Sequence, residues 1–429
     1  MRYIGIRHRR KRTKEGEARP TQVAMIVQGK RKTVIYNLAT EQDELDFVRG
    51  IFPTKYRPPR PEETIAQFQT WQIRWRKLDR EEDPASFSSY HLRQERKQFF
   101  VATAVPESFD GLQPGDVVSL VLGSSADLFA LALARRGQDL GAHVLRLTSN
   151  VLNQRRPSGR DKEEDALTLA ELVRDAPDLF YEVRPRDLKF LRLRELYRQR
   201  TDAMREQIKC LQRIESSSVG RIFCTLDGGY PEGSLKILSD SEKANDLILQ
   251  GLTEERDRRE RTLTKAVEEL DVYTCLFEPT TGCGPMLSAS IITAISDIRR
   301  FPTAAKLKAY CGVHVLPDGS FPRRRNDEAS NWCDAARSAL WLLSTEQFVK
   351  RPNSAWGQKL RGYKAALRQR HPEVEEKLNK KGEMKKFYSD AHIHKMACWR
   401  TATRFVEWLF REWWRLEERQ AEEQQRAAA

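Results

Sequence analysis

A serine followed by three arginines is the part of this chain best suited to chemistry. Ser320 ends a Pro-Asp-Gly-Ser turn, and a run of guanidiniums follows at Arg323, Arg324 and Arg325. A serine hydroxyl can attack a phosphodiester, and neighbouring arginines can hold the attacked phosphate. The pattern therefore predicts Ser320 as a nucleophile beside a nucleic-acid-binding patch. An ordinary loop is the alternative, because Pro-Asp-Gly-Ser is also a good turn sequence without any chemistry.

A glycine turn before an apolar helix provides a second group of candidate phosphate contacts. Gly282 and Gly284 interrupt the backbone just before the apolar run at 287–296. A turn that opens a helix presents unpaired N–H groups at the positive end of that helix, and this favours a phosphate. A second helix is predicted after Phe301 and ends at Gly312, since glycine commonly stops a helix.

Positive charge predicts the class of partner. The chain has 75 Lys and Arg against 61 Asp and Glu, a formal net charge of +14. Its isoelectric point lies near 9.5. This excess favours nucleic acid as the partner, with an anionic membrane surface second. The basic run at Arg9, Arg10 and Lys11 is a further candidate nucleic-acid-binding patch, or a solvated charged turn.

A membrane-spanning or secreted protein is not expected. The most apolar window is interrupted by Gly123 and Asp127, and no apolar segment follows the basic N-terminus. The seven cysteines form no Cys-x-x-Cys pair, which favours reduced thiols and a cytoplasmic location. His392, His394 and Cys398 lie close together on a helix-like segment; a metal site is the alternative, and we interpret the histidines as surface residues.

The elements that must position these residues differ between the two halves of the chain. Residues 1–186 are predicted to be mixed α/β, with a buried strand at 117–122, a helix at 126–136 and a strand at 143–147. Strand, helix and strand in this order predict a parallel crossover. Further short β-type runs occur at 3–6, 21–27 and 32–36. Residues 41–100 are polar and broken by prolines, and we interpret them as a helical insertion of unknown role.

From residue 187 onward the pattern is helical. Apolar residues recur at the spacing of a long amphipathic helix. They are Leu193, Tyr197, Met204, Ile208 and Leu211. A second such segment returns before 274, after a stretch at 216–241 whose glycines and proline are predicted to interrupt the helix. Residues 187–274 therefore predict a helical arm, which is either a spacer or a dimerisation surface. A helical domain at 275–416 and a fraying tail at 417–429 complete the chain.

Motifs of the C-terminal half occur in an order shared with a known protein family. The arm begins Leu193-Arg-Glu-Leu-Tyr-Arg-Gln-Arg-Thr, and the turn Gly282-Cys-Gly-Pro comes later. Arg-Phe-Pro at 300–302 then precedes Ala-Tyr-Cys-Gly at 309–312, and Ser320 lies in the loop that follows. In this order the motifs resemble those of the bacterial insertion-sequence one-ten transposases, which include the Piv and MooV invertases and carry a catalytic serine in the same loop.

The resemblance implies a fold and a function. It implies a RuvC-like (RNase H-like) domain at 1–186, a coiled-coil arm at 187–274 and a small helical transposase domain at 275–416. Such a protein is a DNA transposase or recombinase of the cytoplasm and nucleoid, directed by a structured guide RNA and acting as a homo-oligomer, a dimer or a tetramer. Ser320 would attack a DNA phosphate, with help from Mg²⁺ held by four acidic residues of the RuvC-like domain.

The N-terminal half departs from the acidic pattern of that family. The first acid normally follows the opening strand as Gly-Ile-Asp, whereas this chain has Gly5-Ile6-Arg7. The second acid is missing after the strand at 117–122, and of the last pair Asp165 fits while Asp161 is out of register. One matched acid would hold Mg²⁺ poorly, because a hard cation needs several converging oxygens. Asp161 and Asp165 are therefore either remnants of a catalytic site or helix caps. A catalytically reduced, transposase-derived nucleic-acid-binding protein is the alternative function.

Overall fold

The computed structural model describes residues 1–9, 18–29, 33–121, 126–224, 235–316, 320–322, 332–378 and 384–428. Two compact units make up the chain, an N-terminal unit at Met1–Leu188 and a C-terminal unit at Lys189–Ala429. No helix within the described ranges is long and apolar enough to cross a bilayer.

The N-terminal unit is mixed α/β. Its strands are β1 (Arg2–Arg7), β2 (Thr21–Val27), β3 (Val34–Leu38), β4 (Phe52–Arg57), β5 (Arg74–Lys77), β6 (Leu92–Glu95), β7 (Gln98–Asp110), β8 (Val117–Val121), β9 (His143–Leu147) and β10 (Tyr181–Glu182). Its helices are α1 (Glu41–Arg49), α2 (Asp127–Leu140), α3 (Ser149–Arg155) and α4 (Asp165–Asp175). The predicted strands at both ends of the unit are confirmed, as is the helix between β8 and β9.

The larger sheet has six strands in the order β10-β9-β8-β1-β2-β3. β1, β2 and β3 are antiparallel neighbours, whereas β8 lies parallel to β1 and β9 lies parallel to β8. The parallel pairing of β8 and β9 confirms the predicted crossover. The carboxyl ends of β1 and β8 consequently meet at one edge of the sheet.

Helix α4 lies unusually close to β1, and this contact places the start of α4 beside the end of that strand. A side chain at Gly5 would bring its Cβ within 1.9 Å of the carbonyl oxygen of Ala166. The hydroxyl of Ser119 donates hydrogen bonds of 3.1 Å to the carbonyls of Ile4 and Leu169, which ties the sheet to α4. The small residue at position 5 therefore permits an approach that any larger residue would block.

The interpretation of residues 41–100 as a helical insertion is wrong. Only Glu41–Arg49 forms an α-helix. The remainder contributes β4, β5, β6 and the start of β7 to a second sheet, with four short 3-10 turns between the first three of these strands, and β7 is central and pairs with β4, β5 and β6. Ile73, Ala102 and Val105 form the small core of this sheet. The central strand β7 runs to Asp110, so most of it lies beyond the segment. The pairing partners of β4 and β5 are therefore distant in sequence, and a local pattern does not reveal them.

The C-terminal unit is mainly helical. Its helices are α5 (Pro185–Phe223, entering the unit at Lys189), α6 (Leu235–Asn245), α7 (Leu247–Glu268), α8 (Pro285–Ile295), α9 (Ala304–Tyr310), α10 (Asp334–Leu342), α11 (Ala355–Arg370) and α12 (Asp390–Ala428), with one hairpin of β11 (Glu375–Leu378) and β12 (Met384–Phe387). Short π-helical segments occupy Tyr273–Phe277 and Leu343–Phe348. The helical prediction for this half is confirmed.

Helices α5 and α7 form an antiparallel pair. Arg200 Nη2 lies 3.0 Å from Glu260 Oε2, and Gln207 Nε2 donates a 2.9 Å hydrogen bond to the hydroxyl of Thr253. The two long predicted helices are thus present. The predicted interruption at 216–241 is partly wrong, because α5 continues to Phe223 and α6 begins at Leu235. Residues 225–234 lie outside the described ranges.

The remaining helices pack around α8 and α12. Helix α8 is apolar on all sides and its residue Ile292 is fully buried, as expected for a helix at the centre of a core. Phe405, Leu409 and Trp413 recur every four residues along α12 and are buried, so this apolar stripe packs the helix against the core. Helix α12 continues to Ala428, so the tail predicted to fray from 417 is helical instead.

Candidate functional site

The predicted site residues fall in two places, one in each unit. Arg10, Lys11, Arg323, Arg324 and Arg325 lie outside the described ranges, and their assignment to nucleic-acid binding stays a prediction. The others are placed by the structure and are described below, first those of the N-terminal unit and then those of the C-terminal unit.

A cavity of about 260 Å³ lies at the carboxyl end of β1, and we name it the β1 cavity. Charged side chains dominate its lining, together with apolar atoms from the ends of β1, β8 and α3. The charged residues are Arg7, Arg9, Arg19, Arg156, Lys162, Glu163 and Asp165. Asp165 enters from the first turn of α4, which the close contact at Gly5 holds against the sheet. The fold therefore brings Arg7 and Asp165 to one place from positions far apart in sequence.

Both carboxylates of the β1 cavity are held by arginines. Asp165 receives a forked pair of hydrogen bonds from Arg156, with Nε 2.8 Å from Oδ1 and Nη2 3.1 Å from Oδ2. Glu163 forms an ion pair with Arg19, and its Oε2 lies 3.6 Å from Nη2 of Arg7. Burial raises the pKa of Asp165 above its usual value, while Arg156 and, more weakly, Arg7 act in the opposite direction.

Asp161 and Arg9 have structural partners. The carboxylate of Asp161 accepts a 2.7 Å hydrogen bond from the amide of Glu163 and caps the short turn before α4. Arg9 contacts two acids of α1, with Nη2 2.5 Å from Glu41 Oε1 and Nε 3.5 Å from Glu44 Oε1. Their proposed roles in catalysis and in nucleic-acid binding stay predictions.

The residues of the β1 cavity do not fit a divalent metal ion. Hard cations take six or more oxygen ligands, several of them from carboxylates. Among the described residues, the acids of the lining are Glu163 and Asp165, and each is already paired with an arginine. No group of three or more His, Cys, Asp or Glu side chains suitable for a metal occurs among the described residues. Arg7 also repels a cation at the position where the resemblance implies the first acidic ligand.

In the C-terminal unit, the glycine turn precedes α8 as predicted. Gly282 has φ of +103°, a backbone conformation that favours glycine, and an added Cβ would lie 3.1 Å from Cβ of Gln347. Gly284 caps the helix and Pro285 occupies its first turn. No described atom lies within 4 Å of a Cβ added at Gly284, so the backbone there is open to approach. Burial raises the pKa of the neighbouring Cys283 thiol to about 12, which excludes a reactive thiolate.

The loop that carries Ser320 is closed by a backbone hydrogen bond. The amide of Leu316 donates to the carbonyl of Ser320 at 2.8 Å, and Ser320 is half-buried. Its neighbour Phe321 stacks on Trp399 of α12, with ring centroids 5.7 Å apart. The loop around Ser320 is therefore fixed by this backbone hydrogen bond and by the ring contact of the next residue.

Arg337 of α10 connects the two sides of this loop. Its Nη1 donates a 2.9 Å hydrogen bond to the carbonyl of Gly312, and its Nη2 donates a 2.6 Å bond to the carbonyl of Pro322. Its guanidinium carbon lies 4.7 Å from the ring centroids of Trp332 and Trp399. The planar guanidinium thus fits between two indoles and reaches both ends of the loop, which a lysine would do poorly. We name Arg337 and these four partners the arginine clamp.

The arginine clamp leaves room only for glycine at position 312, shortly after α9. The pKa values of Arg337 and His314 are also shifted at this place. A Cβ at Gly312, where φ is +64°, would lie 2.8 Å from Cγ of Trp332 and 3.1 Å from Nη1 of Arg337. Burial lowers the pKa of Arg337, and the nearby Asp334 acts in the opposite direction. Burial also lowers the pKa of His314, with a further contribution from Arg337. Both effects favour the neutral form of His314.

A comparison with protein families assigns this part of the chain. Residues 276–358 match the model described as the Transposase IS116/IS110/IS902 family. This segment is similar to the transposase domain of that family, and we name it the transposase domain for this similarity. It contains Gly282, Gly284, Ser320 and Arg337, and it confirms the resemblance found in the sequence. No curated protein shows a significant match to the chain.

Cys398, on the helix that packs against the transposase domain, is buried rather than exposed. Its Sγ lies 3.7 Å from Nε2 of His394, and burial raises the pKa of this thiol to about 11. The thiol of Cys398 thus lies in the interior, whereas His392 and His394 are half-buried. The pair has too few ligands for a metal site, and the described residues supply no further ligand.

Sequence reasoning missed Arg337 and His314 of the transposase domain. Arg337 stands in an ordinary helical pattern, and its partners come from four different positions along the chain. The sequence signal that points to this site is Gly312, because a helix stop and a close backbone approach both favour glycine. The position of Trp399 on α12, however, is decided only by tertiary packing.

Proposed function

We propose that this protein is a DNA transposase or recombinase that uses Ser320 as its nucleophile. The observation that carries the proposal is the position of Ser320 inside the family-matched segment, in a loop that the arginine clamp holds at both ends. A nucleophile must be positioned before it reacts, because misplacement by about 1 Å can cost a factor of about one hundred in rate. A flexible surface turn would not need such support.

The proposed reaction exchanges one phosphate ester for another. The hydroxyl oxygen of Ser320 attacks phosphorus and loses its proton, and a bond forms between serine and phosphate. The bond from phosphorus to one sugar oxygen breaks, and that oxygen leaves with a proton. Arg323, Arg324 and Arg325 follow closely in sequence and would offset the negative charge of the transition state.

The N-terminal unit is proposed to be RuvC-like. Support comes from the β1 cavity, where the ends of β1 and β8 meet the start of α4. These are the three places from which the family resemblance draws its acidic residues. Their convergence supports the assignment of the fold, although Arg7 replaces the first acid and only Asp165 remains in register.

A guide RNA and a homo-oligomer are proposed as partners alongside DNA. The net charge of +14 supports binding to nucleic acid through its phosphates. Large apolar side chains exposed near the far end of the α5 and α7 pair support association through this arm, as a coiled coil, in a dimer or tetramer. They include Phe223, Ile237, Leu247 and Ile248, which are 72%, 69%, 80% and 63% exposed. Sequencing of co-purified RNA and light scattering of the full chain test these two partners.

A nucleic-acid-binding protein that no longer cuts DNA is the second candidate function. The observation that favours it is the β1 cavity, whose two acids are paired with arginines and whose residues do not fit a metal ion. In this case the transposase domain and the basic surfaces would bind DNA or RNA, and Ser320 would have no chemical role.

The two candidates are separated by a covalent adduct. Purified protein is incubated with paired donor and target DNA and any co-purifying RNA, and protein-linked DNA is detected by denaturing electrophoresis. We expect Ser320→Ala to abolish the adduct and the matched control Ser338→Ala, an exposed serine of α10, to retain it. An equal adduct with Ser320→Ala would rule out the serine nucleophile. Binding of DNA without an adduct in any of the proteins would favour the second candidate.

A further inference from the structure

We propose that the β1 cavity binds a phosphate group of a nucleic-acid backbone in place of a metal ion. The inference rests on the proposed function, since it takes nucleic acid as the partner of the chain. It assigns a ligand to a cavity whose residues do not fit the divalent cation that the family resemblance implies.

The charge of the lining favours an anion. Among the described residues of the lining, positive side chains outnumber negative ones: Arg7, Arg9, Arg19, Arg156 and Lys162 against Glu163 and Asp165. Glu41 and Glu44 of α1 pair with Arg9, and the described residues together still carry an excess of positive charge. Guanidiniums are also the side chains that bind phosphate oxygens in pairs.

Arg7 has donor capacity that its protein partners do not use. Its Nε is buried and has no hydrogen-bond partner among the described residues. Its only ion pair in the same ranges is the long one to Glu163, at 3.6 Å, although its side chain is just 14% exposed. A buried donor without a partner costs free energy, and an incoming oxygen atom relieves this cost. Arg7 is therefore the residue that a phosphate would stabilise most.

Glu163 occupies the place that a phosphate would take. It lies against both Arg7 and Arg19, yet its own side chain is 41% exposed and can turn towards solvent. A phosphodiester offers two charged oxygens to the same guanidiniums and would displace this carboxylate. The position of Glu163 thus indicates an anion site that is occupied by the protein itself in the absence of ligand.

The volume of the cavity limits the size of the ligand. Its roughly 260 Å³ falls below the range of about 300–1,000 Å³ typical of pockets for drug-sized molecules. A single phosphate with part of its sugar fits such a space, whereas a nucleotide with its base buried would not. The cavity would then contact the backbone and not read the sequence.

The experiment measures the affinity of the full chain for a fluorescent single-stranded oligonucleotide by anisotropy at several salt concentrations. We expect Arg7→Gln to weaken binding about tenfold and to reduce the slope of log affinity against log salt by about one. Arg174→Gln is the matched control, because Arg174 lies on α4 outside the cavity and pairs with Asp175. We expect Glu163→Gln to strengthen binding about threefold, since it removes the competing carboxylate and leaves the guanidiniums in place.

Other outcomes would overturn the inference. If the parent protein binds the oligonucleotide and Arg7→Gln binds equally well, the cavity does not bind the nucleic-acid backbone, while the proposed function stands. If the parent does not bind at all, the proposed function itself fails. Calorimetry with inorganic phosphate and with MgCl₂ tests free phosphate and Mg²⁺ as alternative ligands of the cavity. Binding of free phosphate without any effect of Arg7→Gln on the oligonucleotide would overturn the nucleic-acid assignment. Binding of Mg²⁺ that Glu163→Gln abolishes would overturn the anion site.

Discussion

Replacement of Arg337 tests whether the arginine clamp holds the Ser320 loop. Arg337→Met keeps an unbranched side chain between the two indoles and removes both hydrogen bonds to the carbonyls of Gly312 and Pro322. Hydrogen bonds from a charged donor contribute about 1.5–3 kcal/mol each, so the loss has a ceiling of about 6 kcal/mol. The loop carbonyls can bind water once the guanidinium is gone. We therefore expect the free energy of unfolding to fall by about 3 kcal/mol, the lower end of that range.

The assay is denaturant unfolding followed by tryptophan fluorescence, because Trp332 and Trp399 flank the substituted side chain. Arg361→Met provides the control, since Arg361 is an exposed residue of α11, and its effect should stay within about 0.5 kcal/mol. Arg337→Lys should recover less than half of the loss, because an ammonium cannot reach both carbonyls and stack on both rings. The clamp would be refuted by a loss below about 1 kcal/mol in Arg337→Met, or by full stability in Arg337→Lys.

Two further predictions concern packing and pH. Gly5→Ala should destabilise the N-terminal unit by about 3 kcal/mol, because its Cβ would lie 1.9 Å from the carbonyl oxygen of Ala166. Gly251→Ala on α7 meets no described atom within 4 Å and should be neutral or stabilising, as thermal unfolding of both variants would show. Burial raises the pKa of Glu407, but Lys308 and Arg404 outweigh it and hold this pKa below its usual 4.5. The ion pairs of Glu407 therefore stabilise the folded state fully above about pH 4.5, and this stabilisation is lost as the pH falls through the lower pKa of the folded state. Glu407→Gln should thus reduce the dependence of the free energy of unfolding on pH in acid.

Local patterns predicted the elements whose own residues carry a recognisable pattern. The strands of the larger sheet are short apolar runs that are buried in the core of the N-terminal unit, and such runs can be recognised without their partners. The two long helices of the arm carry a repeat that is visible in either helix alone. By contrast, β4 and β5 are stabilised by pairing with β7. Their own residues show no regular pattern that would reveal a strand without this partner. The segment at 41–100 was misassigned for this reason.

At the tip of the arm and at the end of the chain, residue composition did not predict where the helices end. The stretch at 216–241 is predicted to interrupt a helix, yet α5 continues to Phe223. The charged tail from 417 is predicted to fray, yet α12 continues to Ala428, and Glu417 Oε2 lies 3.9 Å from Nε of Arg299. In both cases contacts or continuity of the helix outweigh a weak intrinsic preference.

The sequence by itself determined the chemical identity of the candidate groups. It placed Ser320 in a glycine-flanked loop, it placed an arginine at position 7 where the resembled family has an acid, and its motifs pointed to the family that the comparison at 276–358 confirmed. Spacing and residue type are enough for such conclusions because they do not depend on distant contacts. Only the tertiary structure decided what surrounds these groups. Arg7 meets Glu163 because α4 packs against β1 at Gly5, and Arg337 reaches both ends of the serine loop because α12 brings Trp399 beside α10. Such contacts join residues far apart in the chain, and their geometry arises from packing that no local pattern encodes.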